Sequence, residues 1–497
     1  MTSKNPLEIP EITSMVVSHL ESKDLATCVR VSKSWRDIVL PIRWRFIKVL
    51  QKSSANESAP EWLGPRPDDM YRHCDLIHEL TFIHVFNGFD KHRYPNLRKL
   101  TIDFRDPNKR SIVSDDSRES VSLDLTEMFP LLVELNLMVV VVTPITWMTL
   151  AAHNHIKALW LINIKVEAAE VPMLWKACGN LEVLKMGSVT VQQSGNIQPD
   201  LVFHKLHTLH LIWVWGMHAT AQMDLMLRCH GLENVMCHSY SGDFEKQRTF
   251  INQPLHWPRL KELCFDFTIQ DGEMTSILKG IGNGFGGIVK LVVDGAPLKA
   301  QAFRALGLHF STLVDLHLSG CQSTASPAIQ DILCGCPKLE SLAIASIFAR
   351  DIVKGGPWVC QQLRRLFICI MVEESEEDLQ PLVFERLSTL TRLQHLSMIP
   401  PPMDADGVNV LEFRLDCGMG KLTSLQQLAS LYFEAENLEW PIEYYGTPYY
   451  PQLGMNEVAW MAEHWKLHSI MGVLNSDQQI EAEVKDAIFE SFGIRVI

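Results

Sequence analysis

One pattern of apolar positions recurs along most of the chain. An apolar residue is followed by two variable positions, a leucine, one variable position and a second apolar residue. It occurs at Leu97-Leu100-Ile102, Leu132-Leu135-Leu137, Ile156-Leu159-Leu161, Leu181-Leu184-Met186 and Leu206-Leu209-Leu211. It continues at Leu232-Val235-Cys237, Leu260-Leu263-Phe265, Ile288-Leu291-Val293, Leu313-Leu316-Leu318, Leu339-Leu342-Ile344, Leu363-Leu366-Ile368 and Leu393-Leu396-Met398. Ile77-Leu80-Phe82, Leu428-Leu431-Phe433 and Leu467-Ile470 are weaker outer copies. From Ile156 to Leu363 the spacings are 25, 25, 26, 28, 28, 25, 26 and 24 residues. The last two apolar positions of each copy are two residues apart, so in a strand they face the same side. Helical spacing marks the stretches between copies, at residues 145–152, 171–177, 223–228, 274–279, 302–306 and 329–333. One strand and one helix per repeat, stacked in parallel, predict a curved α/β solenoid with a parallel sheet on its concave face. Some fourteen strands about 4.8 Å apart would span roughly 65 Å.

The N-terminus has a different pattern. Asn5 suits a helix cap, Pro6 the first helical position, and Glu8 lies three residues after the cap. Leu7, Ile9, Ile12, Val16 and Leu20 follow at mostly helical spacing. Residues 21–24 break the run and start a second helix, with Ser22 as its cap and Leu25, Cys28, Val29, Val31 and Trp35 behind it. Two such short helices cannot bury their apolar faces alone, so they need each other and a partner. Pro10 falls inside the first helix and removes a hydrogen bond there unless the helix starts late.

These residues resemble the F-box family. Its pattern of a Pro-x-Glu-Ile opening, a Leu before a turn, Asp-Leu, a Cys, Val-Ser/Cys-Lys-x-Trp and a Pro-x-x-Trp-Arg tail is met by Pro6-Leu7-Glu8-Ile9, Leu20, Asp24-Leu25, Cys28, Val31-Ser32-Lys33-Ser34-Trp35 and Pro41-Ile42-Arg43-Trp44-Arg45. Asn5 departs from the usual Leu, and Pro10 from a usual apolar residue. The repeated kernel resembles the leucine-rich-repeat family over most of the chain. Together they divide it into an F-box at 1–50, a linker at 51–75 rich in Ser, Pro and Glu, a leucine-rich-repeat solenoid at 76–475 and a C-terminal cap at 476–497. The resemblance implies the substrate receptor of a Skp–cullin–F-box ubiquitin ligase, not an enzyme in its own right and without a cofactor. Pro6, Leu7, Ile9, Ile12, Leu20, Leu25, Cys28, Val31 and Trp35 would hold the Skp-type linker subunit, and through it cullin and RING subunits. The repeats would hold a protein substrate, so catalysis would come from proximity. The alternative is a leucine-rich-repeat interaction scaffold outside ubiquitination.

Composition narrows the partners. With 497 residues and a net charge of -13, the chain does not suit general nucleic-acid binding, which needs clustered Lys and Arg. Twelve cysteines in so long a chain, with no apolar leader in residues 1–10, fit reduced thiols in cytoplasm or nucleus. Residues 135–152 are uncharged and long enough to cross a bilayer, but Asn136, Thr143, Pro144, Thr146 and Thr149 interrupt them. The run divides instead into a strand and a helix.

Several groups look like chemistry. Cys178, Cys229, Cys336 and Cys360 each precede a kernel by three residues, a shared slot for a small buried hydrophobe and not a metal set. His207 and His210 would point to opposite faces of a strand. His78-Glu79 lacks the second His of a zinc-protease motif, the glycines of 280–287 lack a phosphate loop's Lys-Ser or Lys-Thr, and the acid run 373–378 reads as a solvated loop. The outward positions beside each kernel carry the recognition surface. They are Met138, Trp160, Ile162 and Ile212 early, Glu262, Asp266, Asp294 and Asp315 with Lys290 in the middle, and Arg365, Phe367 and His395 late. They predict a substrate with an apolar anchor on Trp160 and a basic segment on the acids, unless a loop such as 105–122 covers Trp160.

Overall fold

The computed structural model describes residues 10–52, 61–84, 92–105, 120–192, 201–217, 219–238, 257–265, 271–282, 286–293, 298–318, 326–399, 408–433, 451–494 and 496. Asn5, Pro6, Leu7 and Ile9 lie outside them. Three helices open the described chain: Pro10–Val17, Ser22–Cys28 and Lys33–Arg45. Pro10 is the first described residue of its helix. Ser22 is the first residue of the second helix and Glu21 takes the cap position. Trp35 belongs to a third helix that the apolar spacing had merged with the second. Ser32 starts that helix by accepting the Trp35 N–H at 3.2 Å. Val17, Leu25 and Val39 form the buried centre, with Leu20, Cys28, Val29, Trp35 and Ile42 packed on it.

The third helix runs directly into the strand Phe46–Lys52. This strand pairs in parallel with Glu79–Ile83, Ile47 opposite Leu80 and Val49 opposite Phe82. Trp44-Ile47-Val49 is therefore a first kernel, and all three residues are buried. The ladder starts one strand earlier than the leucine count placed it, because Trp and Ile fill the positions usually held by leucine. Among the described residues that follow, Glu61–Leu63 pairs antiparallel to the first strand, and Pro67–Arg72 is a helix.

The chain divides into two compact units, Met1–Leu232 with Ser239–Gly242, and Glu233–His238 with Asp243–Ile497. In the first, seven described strands form one parallel ladder: Phe46–Lys52, Glu79–Ile83, Lys99–Asp103, Glu134–Met138, Ala158–Ile162, Val183–Gly187 and Thr208–Ile212. In the second, nine described strands do so: Asn234–His238, Glu262–Phe265, Lys290–Val293, Asp315–Leu318, Ser341–Phe348, Arg365–Val372, His395–Met398, Ser430–Tyr432 and Ser469–Met471. Kernel residues align along the ladders except after Ala343, where a register shift offsets Ser341–Phe348 from Arg365–Val372, and Leu184, Leu209 and Leu316 are 0% exposed. The fold is a mixed α/β solenoid. Helices return the chain between strands at Pro144–Ala152, Val171–Cys178, Ala219–Leu227, Asp271–Gly282, Ala300–Leu306 and Ser326–Gly335, matching the six helical stretches read from spacing. Met455–His464 and Gln478–Phe492 follow near the end.

A backbone device repeats in the first unit. His84, Val139, Asn163, Ser188 and Trp213 each adopt positive φ one residue beyond a strand. The first four donate their N–H to Asp103, Ile162, Gly187 and Ile212 carbonyls on the next strand. The left-handed residue turns the chain off the sheet while the hydrogen bond keeps neighbouring repeats in step. It leaves Trp213 48% exposed.

Candidate functional site

The N-terminal module splits the residues expected to dock a linker subunit. Leu25 is only 7% exposed and sits in the buried centre of the module. Ile12, Leu20, Cys28 and Trp35 are half-buried, and Val31 is 64% exposed. Met15, 62% exposed, and the partly exposed Val16 join them as apolar side chains without cover. Met15 was missed because it is out of phase with the buried stripe of its helix, although it follows Ile12 by three residues and so shares its face. Pro6, Leu7 and Ile9 lie outside the described residues.

On the sheet of the first unit, register places Asn136, Trp160, Lys185 and His210 side by side in one outward column. Met138, Ile162, Gly187 and Ile212 form the next column. Trp160 is half-buried, and the group over its face is Lys185, whose Nζ lies 4.3 Å from the ring centroid. A cation–π contact thus caps the indole that the sequence left open. Met138, expected at the surface, is buried, whereas Ile162 and Ile212 are half-buried. Asn136 Nδ2 donates to Thr101 Oγ1 and Glu134 Oε1, both at 3.1 Å, while its enclosed Oδ1 has no partner. The carboxylate can only accept, which fixes the amide orientation.

On the sheet of the second unit, only part of the charged strip expected from the sequence falls among the described residues. Asp266 and Asp294 lie outside the described residues. Among the rest, Glu262, Lys290 and Asp315 are consecutive in register, and the Lys290 ammonium is 3.3 Å from Asp315. The signs alternate because cross-strand neighbours, about 25 residues apart in sequence, neutralise one another. Arg365 is exposed, and Phe367 and His395 are half-buried. Between these charged positions Cys264, Val292 and His317 form a buried outward column that the sequence did not single out. Burial depresses the His317 imidazole to about 4 and raises the Cys264 thiol to about 11.

The remaining candidates behave structurally. Cys178, Cys229, Cys336 and Cys360 are fully buried, and burial holds the last three thiols up at about 12, far from nucleophilic. The acid run is not a simple solvated loop. Residues Glu374–Leu379 form a short tight helix, and Arg350 pairs with Glu373 while its side chain lies 4.1 Å from the Phe348 ring centroid. Among the described residues no group of three or more His, Cys, Asp or Glu could hold a metal ion, and no helix is long and apolar enough to cross a membrane.

The class defined here is a small helical module joined to a leucine-rich-repeat stack. Residues 10–48 match the family model described as F-box-like. The chain is therefore an F-box-like domain followed by leucine-rich repeats. No curated protein matches the sequence. Among solved structures, an internalin of Listeria monocytogenes is similar at 14% identity and a TM-score of 0.43, over 76% of this chain and 91% of that one. A leucine-rich-repeat protein of Leptospira interrogans is similar at 14% identity and a TM-score of 0.40, over 72% and 84%.

Proposed function

We propose that this protein is the substrate-recognition adaptor of a Skp–cullin–F-box type ubiquitin ligase, working in cytoplasm or nucleus. The observation that carries the reading is the direct junction of the two modules. The last helix of the F-box-like domain becomes the first strand of the repeat ladder within two residues, Trp44 serving both. Such a junction holds a docked linker subunit and a substrate bound on the sheet at a set distance, which is what catalysis by proximity requires. Met15, Val16, Val31 and Trp35 supply the linker-facing surface, with Pro6, Leu7, Ile9, Ile12, Leu20, Leu25 and Cys28 around or beneath it. The outward sheet residues, Trp160, Ile162 and Ile212 foremost, supply the substrate face. No residue of this chain acts on the substrate chemically. Affinity isolation of the full chain under proteasome inhibition tests this. Linker and cullin subunits should co-purify together with ubiquitinated client, and a wild-type chain that captures neither linker nor cullin would refute it.

A further inference from the structure

The strands Ala158–Ile162, Val183–Gly187 and Thr208–Ile212 lie side by side in register. None of their outward positions is acidic, although the chain carries a net charge of -13. They hold one lysine, Lys185, and one histidine, His210, among apolar and small residues. Among the described residues no carboxylate pairs with Lys185; its ammonium rests on the Trp160 ring instead. Elsewhere on the same sheet the cation Lys99 is neutralised by Glu134 at 2.8 Å. Lys185 is thus a half-buried positive charge held ready on an aromatic face.

Two residues further along the same strand, Gly187 leaves a gap in the next column. A Cβ built on Gly187 would meet only Ile162 Cγ1, at 3.8 Å. Ile162 and Ile212 flank it one strand away on either side, so the gap is a notch with aliphatic walls roughly 10 Å apart at the backbone. Lys185 and the notch are about 7 Å apart along the strand, the distance between residues i and i+2 of an extended peptide.

We propose that this surface recognises an extended segment of a partner protein in which an aliphatic side chain fills the Gly187 notch and an Asp or Glu two residues away pairs with Lys185. The inference rests on the adaptor reading, since the segment would belong to the substrate. The partner's acidity follows from the charge left unpaired on the sheet. The spacing follows from the strand repeat. Trp160 keeps Lys185 raised over the site and is a positioning residue for it.

Random 12-mers displayed on phage and selected on the full chain, then counter-selected on Lys185→Glu, test the proposal. Peptides kept by the wild type and lost on Lys185→Glu should carry Asp or Glu two residues from Leu, Ile or Val. Synthetic copies should bind Lys185→Glu and Gly187→Leu about tenfold more weakly or worse in fluorescence anisotropy, and the exposed-site control Lys338→Glu normally. Enrichment of basic peptides, no difference between wild type and Lys185→Glu, or unchanged affinity for Gly187→Leu would overturn it. So would a phosphoserine in place of the acid that binds more than about tenfold tighter, which would assign the surface to phosphorylated partners. Capture of linker subunit by Lys185→Glu should stay at the wild-type level. Loss of that capture in the wild type would remove the adaptor reading and leave the peptide result standing.

Discussion

The Trp44 indole and the His73 imidazole lie 4.5 Å apart between ring centroids. Trp44 lies in the last turn of the helix Lys33–Arg45, and His73 directly follows the helix Pro67–Arg72. Arg45, the next residue, accepts the His78 N–H at 3.0 Å, the same bond that His78 makes onward to Arg98. The repeat's own hydrogen-bond pattern therefore starts inside the F-box-like domain. Trp44→Ala should cost about 3–5 kcal/mol, in the range for a buried Trp. Chemical denaturation of the full chain checks it, and a loss under about 1 kcal/mol would mean that Trp44 is not the shared anchor.

Val31→Asp and Met15→Asp should abolish linker binding and leave the thermal transition of the chain in place. Both side chains are exposed, and losing one buried interface anchor often costs about 2 kcal/mol or more. Leu25→Asp should instead unfold the helical module, since it places a carboxylate against Val17 and Val39. Linker capture paired with circular dichroism separates the two effects. Full capture by Val31→Asp and Met15→Asp together would move the docking surface elsewhere.

Leu209→Ala and Leu316→Ala should each destabilise their own unit by roughly 2–5 kcal/mol. Hydrogen exchange resolves this unit by unit, and equal loss of protection in both units from either substitution would contradict the division.

Gly216 has φ of +74°, and a Cβ there would lie 2.1 Å from the Val191 carbonyl oxygen. Val191 in turn donates its N–H to the Trp215 carbonyl at 2.8 Å. Gly216→Ala must break this contact or move the backbone, at a cost of order 1–3 kcal/mol. A thermal scan of Gly216→Ala matching the wild type would show the loop relaxing freely.

His153 and His309 bridge neighbouring repeats in the same way. His309 Nδ1 accepts the Ile288 N–H at 3.2 Å, so Nε2 carries the proton and donates to the Leu278 carbonyl at 2.9 Å. His153 does likewise between the His155 N–H and the Phe129 carbonyl. Burial lowers both imidazoles below 6.5 and His317 to about 4. A lowered histidine is neutral when folded, so its contribution is intact above 6.5 and declines as pH falls toward the folded value. Stability should therefore drop between pH 6.5 and about 4, and replacing all three by Gln should flatten that limb. Denaturation midpoints measured across this window decide it; an equally steep limb in the triple variant would place the titrating groups elsewhere.

The sequence by itself determined the repeat. The apolar-x-x-Leu-x-apolar kernel encodes a strand and its buried side within six residues, and all its copies are buried in their assigned phase. The helices between kernels and the F-box-like motif were equally legible, because caps, prolines and apolar spacing act within a few residues. Tertiary structure decided the rest, because the deciding neighbours lie about 25 residues away, on the next strand. Lys185 covers Trp160 and Lys290 offsets Asp315, while in the helical module Leu25 meets Val39 of the following helix to become core. Local pattern shows which face a side chain takes; only the packed register shows what meets it there, and charge pairing and burial depend on that meeting.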